Sequence, residues 1–266
     1  MKYSFMTFSC PDATAPELAA IAARFGYDGV ELRVGQGRHG VGYDAAAETL
    51  RQVRTAFEKQ GVAVSCLATS VSFAYDADAG VAECEQALRT AAAVGAPRIR
   101  VFGGVLRDEA DRSLARKNVL DGLRRAAPTA ERCGVNICLE LHDSWADPYI
   151  TGPLVAELDL ARVKINWDVM HPVLECGVSV ADSFAPIARY IDHVHIHDGL
   201  IDDQGRFVFL PIGSAKVDHR PAVEALLGVG YAGYLSGEWI DRAEPYEVYL
   251  PQDLATMRSY ERACAQ

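Results

Sequence analysis

The chain has 266 residues, of which 36 are acidic and 26 basic, for a formal net charge of −10. This acidic balance disfavours non-specific binding of nucleic acid, which requires a basic face to neutralise phosphates. The cysteines are scattered and form no CxxC pair, which argues against a disulfide framework and a thiolate zinc site and fits a reducing cytoplasm. The N-terminus makes a poor signal peptide, and no apolar run approaches the ~20 residues that a membrane helix needs. These properties predict a cytoplasmic protein without a membrane span, and they leave its chemistry open.

Short β-like runs alternate with helical stretches along the chain. The predicted strands are Tyr3–Phe8, Gly29–Val34, Val62–Ala68, Arg98–Phe102, Val135–His142, Val163–Asp168, His193–His197 and Tyr234–Trp239. The predicted helices are Pro16–Arg24, Asp44–Lys59, Asp78–Val94, Asp111–Cys133, Gly152–Leu158, Val180–Tyr190, Pro221–Leu227 and Gln252–Ala263. Several helices are followed by a glycine suited to a left-handed cap and then directly by the next strand, as in RFGYDGVELRV.

The number and order of these elements indicate the fold. Consecutive strand–helix units imply parallel strands, because each return to the sheet passes through a helix. Eight such units close a barrel, so the sequence predicts an α/β protein with a single (β/α)8 TIM barrel over residues 1–266. A doubly wound open sheet is the alternative, but it often has a glycine-rich first turn, which FSCPDA does not provide.

Ionisable residues end the last four predicted strands, in the segments LELH, NWD, HVHIHD and SGEW. Barrel enzymes place their sites at these C-terminal ends because the βα loops open there. Alternate residues of a strand share a face, so Glu140 and His142 point the same way, as do the three histidines of HVHIHD. Buried ionised groups without partners would be strongly destabilising. A single bound cation reconciles Glu140, Asp168, His195 and Glu238 most simply.

The predicted donor set indicates the kind of metal and the kind of reaction. Three carboxylates and one imidazole are hard and oxygen-rich, which favours Mn²⁺ or Mg²⁺, with Co²⁺ possible, over a zinc site of thiolates or several imidazoles. Such an ion could chelate a hydroxyketone and stabilise a metal-bound enediolate. Proton transfer next to the carbonyl then needs an acid and a base. His142 and His171 are candidates for that transfer or for hydrogen bonds that support the site, because neutral imidazole exchanges protons near neutral pH.

Several other residues near the strand ends are candidates for contact with a substrate. Glu31 and Arg33 share a face of the second strand, and Arg100 ends the fourth, although both arginines could instead be paired inside the barrel. Trp145 and Trp239 follow strands that carry predicted ligands. Each could stack on a sugar face or anchor a loop in the core.

Two loops carry weaker signals. His39 lies between glycines in GRHG and could reach a substrate, although exposure to solvent is the expected case. A second loop contains Gly213, Ser214 and Lys216, which partly match the glycine-rich phosphate site found after the last strands of some barrels. These residues could equally form a simple turn. Phosphorylation of the substrate is therefore left open.

These motifs together resemble the xylose isomerase-like TIM barrel superfamily, in particular its sugar phosphate isomerase/epimerase branch. GYDGVELR is similar to the second-strand signature of that branch, LELH to its E-N-H motif, NWDVMHP to its D-x-x-H, HVHIHDG to its V-H-x-K-D, and GYAGYLSGEW to its terminal motif. His197 stands where that branch commonly has lysine. The resemblance covers nearly the whole chain and implies a small sugar or polyol substrate, and homodimers or tetramers are common among its members.

The resemblance also implies roles for individual residues. It makes Glu140, Asp168, His195 and Glu238 the metal ligands, most often of Mn²⁺. It suggests Glu140 and Glu238 as the proton carriers, with His142 as a further catalytic candidate. It makes His171 a substrate contact, to which we add Arg100, Glu31, Arg33, His197 and Trp145.

The leading hypothesis is an isomerase or epimerase of a keto-sugar or related polyol. A lyase that dehydrates a keto-inositol or eliminates from a 3-oxo-glycoside would use the same proton abstraction, with His142 or His197 assisting the leaving group. An apurinic endonuclease is disfavoured because Asp218-His219 lacks its D-x-H spacing and the third strand supplies no histidine. A further alternative is a non-catalytic barrel that serves as a subunit or regulator. Such a protein would be expected to lack some metal ligands, whereas all four matched positions hold residues that can bind a metal.

Overall fold

A computed structural model describes residues 1–35, 39–108, 111–204, 206–215 and 217–264. Its central feature is a closed barrel of parallel strands in the order β1-β2-β3-β4-β5-β6-β7-β10. The strands are β1 (Lys2–Met6), β2 (Gly29–Arg33), β3 (Ala63–Ala68), β4 (Arg98–Val101), β5 (Asn136–Glu140), β6 (Val163–Asp168), β7 (Ile191–Ile196) and β10 (Tyr234–Gly237). The predicted (β/α)8 barrel is confirmed.

Helices connect the strands and surround the barrel. They are α1 (Ala15–Phe25), α2 (Ala47–Gln60), α3 (Ala77–Val94), α4 (Arg112–Cys133), α5 (Pro148–Leu158), α6 (His171–Cys176), α7 (Val180–Phe184), α8 (Arg220–Gly228) and α9 (Tyr246–Cys264). Gly26 ends α1 with a φ of 82° and donates its N–H to Ala22, as the predicted left-handed cap requires. Within the described residues, no helix is both long and apolar enough to cross a membrane.

The structure differs from the sequence prediction after β7. The sequence analysis expects a loop there, whereas the chain forms an antiparallel hairpin of β8 (Asp198–Ile201) and β9 (Phe207–Leu210). Gly199 permits this pairing because a Cβ at that position would lie 2.4 Å from the carbonyl oxygen of Val208. The hairpin lies beside the C-terminal mouth, since β8 starts directly after His197.

The apolar and ionisable residues of the strands separate as their alternation predicts. Leu139, Leu141, Val194 and Ile196 belong to the hydrophobic core and are at most 1% exposed. Their neighbours in sequence are the ionisable residues at the strand ends. Alternation along each strand therefore directs every second side chain into the barrel.

The lower part of the barrel contains an ion pair between Arg98 and Asp192. Arg98 Nε lies 2.7 Å from Asp192 Oδ2, and its Nη1 donates to the carbonyl oxygen of Ser65 at 2.8 Å. Asn136 Nδ2 donates to the same carboxylate oxygen at 3.0 Å. Burial opposes ionisation, but the charge of Arg98 and these hydrogen bonds lower the pKa of Asp192.

We expect Asp192→Asn to destabilise the protein by about 3 kcal/mol, because it leaves the buried Arg98 charge without its counterion. The folded-state pKa lies below the unfolded value of about 3.9, so the carboxylate stabilises the fold above that pH and loses this contribution as the pH falls through the folded-state pKa. Urea unfolding at neutral pH and at pH values below about 4 measures both effects. Asp203→Asn, on the exposed turn of the hairpin, is the control. Equal stability of the two variants would contradict the prediction.

Candidate active site

Four ionisable side chains from neighbouring strands meet at the C-terminal mouth of the barrel. They are Glu140 at the end of β5, Asp168 at the end of β6, His195 on β7 and Glu238 just after β10. Each offers one possible ligand atom, and these four atoms all lie within 4.8 Å of one another. His195 Nδ1 is 2.6 Å from Glu140 Oε1 and 2.9 Å from Glu238 Oε2. The side chains that the sequence analysis expects to converge therefore do so.

The register of the strands brings these residues together. Asp168 of β6 pairs with His195 of β7, which in turn pairs with Ser236 of β10. Glu238 follows two residues later, and its N–H donates to the carbonyl oxygen of Ile196. In parallel strands the carboxyl ends meet at one edge, so residues far apart in sequence share one site.

The cluster is strongly acidic for a buried site. Arg100 Nε lies 3.4 Å from Glu140 Oε2, and within the described ranges no arginine or lysine forms an ion pair with Asp168 or Glu238. Burial opposes the charge of His195, but the carboxylates of Glu31, Glu140 and Glu238 raise its pKa well above the ordinary value. The structure thus gathers three carboxylates around one imidazole nitrogen, an arrangement that fits a divalent cation.

A further layer of ionisable residues lies beneath the cluster. Glu31 is fully buried, with Oε2 2.8 Å from His193 Nε2 and 3.1 Å from His195 Nε2. This corrects the expectation that Glu31 contacts substrate, because its carboxylate is enclosed by the two imidazoles. The two nitrogens of His195 therefore face different partners, Glu31 on one side and the cluster on the other.

The mouth above the cluster consists of two adjoining cavities of about 340 Å³ and 360 Å³. They share a wall formed by His142, Glu238 and Ile240. We call the first the arginine half; its other lining residues are Phe8, Arg33, Val34, Ala68, Thr69, Ser70, Arg100 and Phe102. We call the second the hairpin half; its other lining residues are Met170, His171, Leu174, Glu175, His197, Ile201, Phe207 and Phe209.

Arg33 and Arg100 differ in whether their guanidinium groups are already paired with other residues of the protein. Arg100 is buried, contacts Glu140 and donates from Nη1 to the carbonyl oxygen of Thr69 at 2.9 Å. Arg33 lies over the ring of Phe8, with Cζ 3.9 Å from the ring centroid, and its buried Nε has no hydrogen-bond partner among the described residues. Arg100 is therefore held by Glu140 and Thr69, whereas Arg33 lines the cavity and forms no ion pair among the described residues.

His142 and His171 line the cavities, and each has an acidic partner. His142 Nδ1 is 2.9 Å from Asp143 Oδ2, and His171 Nδ1 is 2.5 Å from Glu175 Oε1. Burial works against protonation, but the charge of Asp168 and the contact with Glu175 raise the pKa of His171 to about 9. This differs from the expectation of a neutral imidazole, because a protonated His171 donates hydrogen bonds and cannot accept a proton.

His197 lies in the cavity wall but is engaged with Asp168. Its Nε2 is 2.8 Å from Asp168 Oδ2, and its ring stacks on Phe209 at a centroid distance of 5.5 Å. His219 Nε2 is 2.9 Å from the carbonyl oxygen of His197. His197 therefore orients Asp168 and presents mainly its ring to a substrate.

The structure decides between the two interpretations of Trp145 and Trp239, and the expected exposure of His39 is wrong. Trp145 and Trp239 are fully buried and line neither half of the mouth, and Trp145 Nε1 donates to the carbonyl oxygen of Gly104 at 2.7 Å. These tryptophans anchor loops in the core and cannot stack on a sugar. His39 is 1% exposed, with Nε2 2.8 Å from the carbonyl oxygen of Arg33, whereas Gly37 beside it lies outside the described residues.

The loop considered for phosphate binding has another role. The buried carboxylate of Asp198 accepts the N–H groups of Gly213 and Ala215, each at 3.0 Å. These donors are therefore engaged within the protein, and Ser214 donates to the carbonyl oxygen of Pro211. Lys216, the third member of the predicted site, lies outside the described residues. The described part of this loop is an anchor for the start of β8.

The sequence analysis missed several residues that form the site. Asn166 Nδ2 donates to Glu140 Oε1 at 3.1 Å, and Asp143 and Glu175 hold the two cavity histidines. The sequence did contain signals for these two pairs. His142 and Asp143 are adjacent, and His171 and Glu175 have the i,i+4 spacing that brings side chains together on a helix. The alternation of aromatic residues in FVFL was the signal for the hairpin wall.

The fold and the site together define a class of protein, the (β/α)8 barrels with an acidic and histidine cluster at the C-terminal mouth. The chain belongs to the xylose isomerase-like TIM barrel family, whose profile matches residues 19–260. It is 26% identical over 121 residues to D-psicose 3-epimerase of Ruminiclostridium cellulolyticum, an alignment that covers 43% of this chain and 38% of that enzyme. The match thus spans well under half of the length of that relative.

Two solved structures extend the comparison to almost the whole chain. The 3-keto-D-glucoside 4-epimerase of E. coli has a TM-score of 0.78 at 22% identity, and the alignment covers 97% of this chain and 99% of that one. A probable 3-DHS dehydratase of Bacillus anthracis has a TM-score of 0.78 at 19% identity, with the same coverage of both chains. At these identities, the superpositions show a shared fold.

Proposed function

We propose that the protein is a divalent-metal-dependent isomerase or epimerase of a keto-sugar or related polyol. The observation that carries this proposal is the convergence of three carboxylates and His195 within 4.8 Å of one another, beside a cavity lined by Glu238 and His142. The names of the relatives, two of which are sugar epimerases, support the same reaction class.

The residues that would hold the metal are Glu140, Asp168, Glu238 and His195 through Nδ1. Their buried atoms are too close together for three carboxylates to remain charged at low cost without a cation. The oxygen-rich donor set favours Mn²⁺, with Mg²⁺ or Co²⁺ as alternatives. When bound, the ion would polarise a substrate carbonyl and stabilise negative charge next to it.

The protein itself supplies the groups that move the proton. We assign the removal and return of a proton next to the carbonyl to the carboxylates of Glu140 and Glu238, both of which contact His195 Nδ1. Glu238 lines both halves of the mouth, whereas Arg100 and Asn166 hold Glu140 at its floor. His142, in the shared wall, is the third proton-carrying candidate.

Other residues would bind and orient the substrate. Arg33 lines the arginine half and forms no ion pair among the described residues, so its guanidinium can bind hydroxyl or carbonyl oxygens. His171 can donate a hydrogen bond from the opposite half. A carbon held between these groups would lie next to the shared wall, where Glu238 and His142 can reach it.

The experiment that tests this proposal is a substrate screen in D2O. Ketoses, inososes and 3-oxo-glycosides are incubated with the Mn²⁺-loaded protein, and solvent deuterium at carbon is followed by NMR. Deuterium uptake with an isomeric product supports the proposal. Loss of a leaving group, seen as a change in product mass, identifies a lyase that uses the same abstraction. Absence of exchange with every compound would contradict both reactions.

A separate prediction concerns Glu31 as a positioning residue. We expect Glu31→Gln to lower Mn²⁺ affinity about 10- to 100-fold, because the neutral amide no longer orients His195 from behind. Calorimetric titration of the metal into the purified protein measures the effect. Glu48→Gln on exposed α2 is the matched control. An unchanged affinity in Glu31→Gln would contradict this role.

A further inference from the structure

The two halves of the mouth differ in chemistry, and this difference bears on the substrate. The arginine half contains two guanidinium groups and the side chains of Thr69 and Ser70. The hairpin half combines the ionisable side chains of the site with six apolar ones, which are Met170, Leu174, Ile201, Phe207, Phe209 and Ile240. The ionisable groups of this half lie on the side of the cluster, so a compact sugar bound there would leave the apolar side chains of the hairpin in contact with water.

The apolar wall is exposed to the cavity. Ile201 is 61% exposed, and Phe207 and Phe209 are only partly buried. Large apolar side chains that remain exposed beside a reactive site gain free energy when a ligand removes them from water. A cavity of about 360 Å³ can hold a group the size of one or two rings.

The wall is also fixed in place. Asp198, the first residue of β8, is fully buried and accepts N–H groups from Gly199, Gly213 and Ala215. Phe209 stacks on His197, which contacts Asp168 of the cluster. The hairpin is therefore tied to the site on both sides, and a preformed wall binds a ligand without a large ordering cost.

We propose that the substrate is a keto-sugar joined to a bulky apolar group, that is, a keto-glycoside with an aryl or alkyl aglycone. The sugar ring lies toward the arginine half, the aglycone lies in the hairpin half, and the bond between them lies near the shared wall of His142, Glu238 and Ile240. This inference rests on the proposed function for the sugar and adds the chemistry of its substituent.

The hairpin offers a matched pair of variants for the test. Phe207 and Phe209 line the cavity, whereas Val208 between them lies on the other face of β9 and is 38% exposed. Phe209 stacks on His197 at a centroid distance of 5.5 Å, whereas Phe207 lies farther from that ring, at 6.4 Å. Phe207→Ala and Ile201→Ser are therefore the more informative variants. Val208→Ala is the control for general effects on the hairpin.

The experiment compares methyl and phenyl 3-oxo-glucosides as substrates of the Mn²⁺-loaded protein, and methyl and phenyl glucosides as ligands observed by saturation-transfer NMR. We expect the phenyl compounds to have about tenfold lower KM and Kd than the methyl compounds, in line with burial of one ring. Phe207→Ala and Ile201→Ser should reduce this preference at least threefold, because they remove apolar contact from the phenyl group and little or none from the methyl group. Val208→Ala should retain the preference.

The outcomes separate the two proposals. Equal KM and Kd for methyl and phenyl compounds, or an equal loss of preference in Val208→Ala, would overturn the apolar subsite even if the protein exchanges protons. A phenyl preference in binding that depends on Phe207, without any proton exchange, would support the subsite and contradict the proposed reaction.

Discussion

Asp168→Asn is expected to abolish the stabilisation of the protein by Mn²⁺. The substitution keeps the shape of the side chain, and its oxygen can still accept the N–H of Met170, which the carboxylate accepts at 2.8 Å. The substitution removes one of the three negative charges of the cluster. It also replaces the carboxylate that contacts His197 with a neutral amide. A ligand that binds only the native state stabilises it by about 2.7 kcal/mol at one hundred times its Kd, and this gain should vanish in the variant.

Thermal unfolding with and without Mn²⁺ measures this effect, and calorimetric titration gives the affinity directly. Asp121→Asn makes the same change in charge on an exposed face of α4, away from the site. Mn²⁺ should stabilise this control variant as much as it stabilises the wild type. If Asp168→Asn gains as much stability from Mn²⁺ as the wild type does, the ion does not bind where we propose.

Glu238→Gln has the largest expected effect on chemistry. We expect proton exchange at the substrate carbon to fall about 10²- to 10⁴-fold, because the amide cannot accept or return a proton. Glu238 lines both halves of the mouth, and its Oε2 lies 2.9 Å from His195 Nδ1, so the carboxylate adjoins both the cavity and the proposed metal ligands. The rate of deuterium uptake at saturating Mn²⁺ is the measurement, since it separates proton transfer from the loss of metal.

Glu244→Gln is the control for this variant, since Glu244 lies on the same loop, is half-exposed and pairs with Arg242. It should retain the wild-type exchange rate. Near-normal exchange in Glu238→Gln would assign the proton transfer to Glu140 and His142 instead. Loss of exchange in both variants would point to a disturbed loop.

Arg33 differs from the other basic residues that line the mouth in having no carboxylate partner among the described residues. Arg100 is engaged with Glu140, the cavity histidines have their own carboxylates, and Asp168 is held by His197. Arg33 lines the arginine half and forms no ion pair among the described residues. We therefore propose that Arg33 binds the substrate, whereas the other residues support the cluster.

Some errors of the sequence analysis share one physical cause. Glu31 and His193 lie 162 residues apart, and no local pattern indicates that they are hydrogen-bonded. Trp145 lies next to a strand end, but its partner is the carbonyl oxygen of Gly104 on another loop. Whether a polar or aromatic residue near a strand end faces the cavity or the core depends on such distant partners.

The sequence by itself determined the strands and helices of the barrel and which strand residues alternate toward its interior, because strand alternation and glycine caps are local properties of the backbone. It therefore sufficed to predict Glu140, Asp168, His195 and Glu238 as a cluster. Only the tertiary structure decided which residues lie beneath that cluster, which arginine is already paired, and how the hairpin of Phe207 and Phe209 forms one wall of the mouth. These features depend on how the loops pack and on contacts between strands that are distant in sequence. The residues of one short segment do not determine the free energies of those contacts.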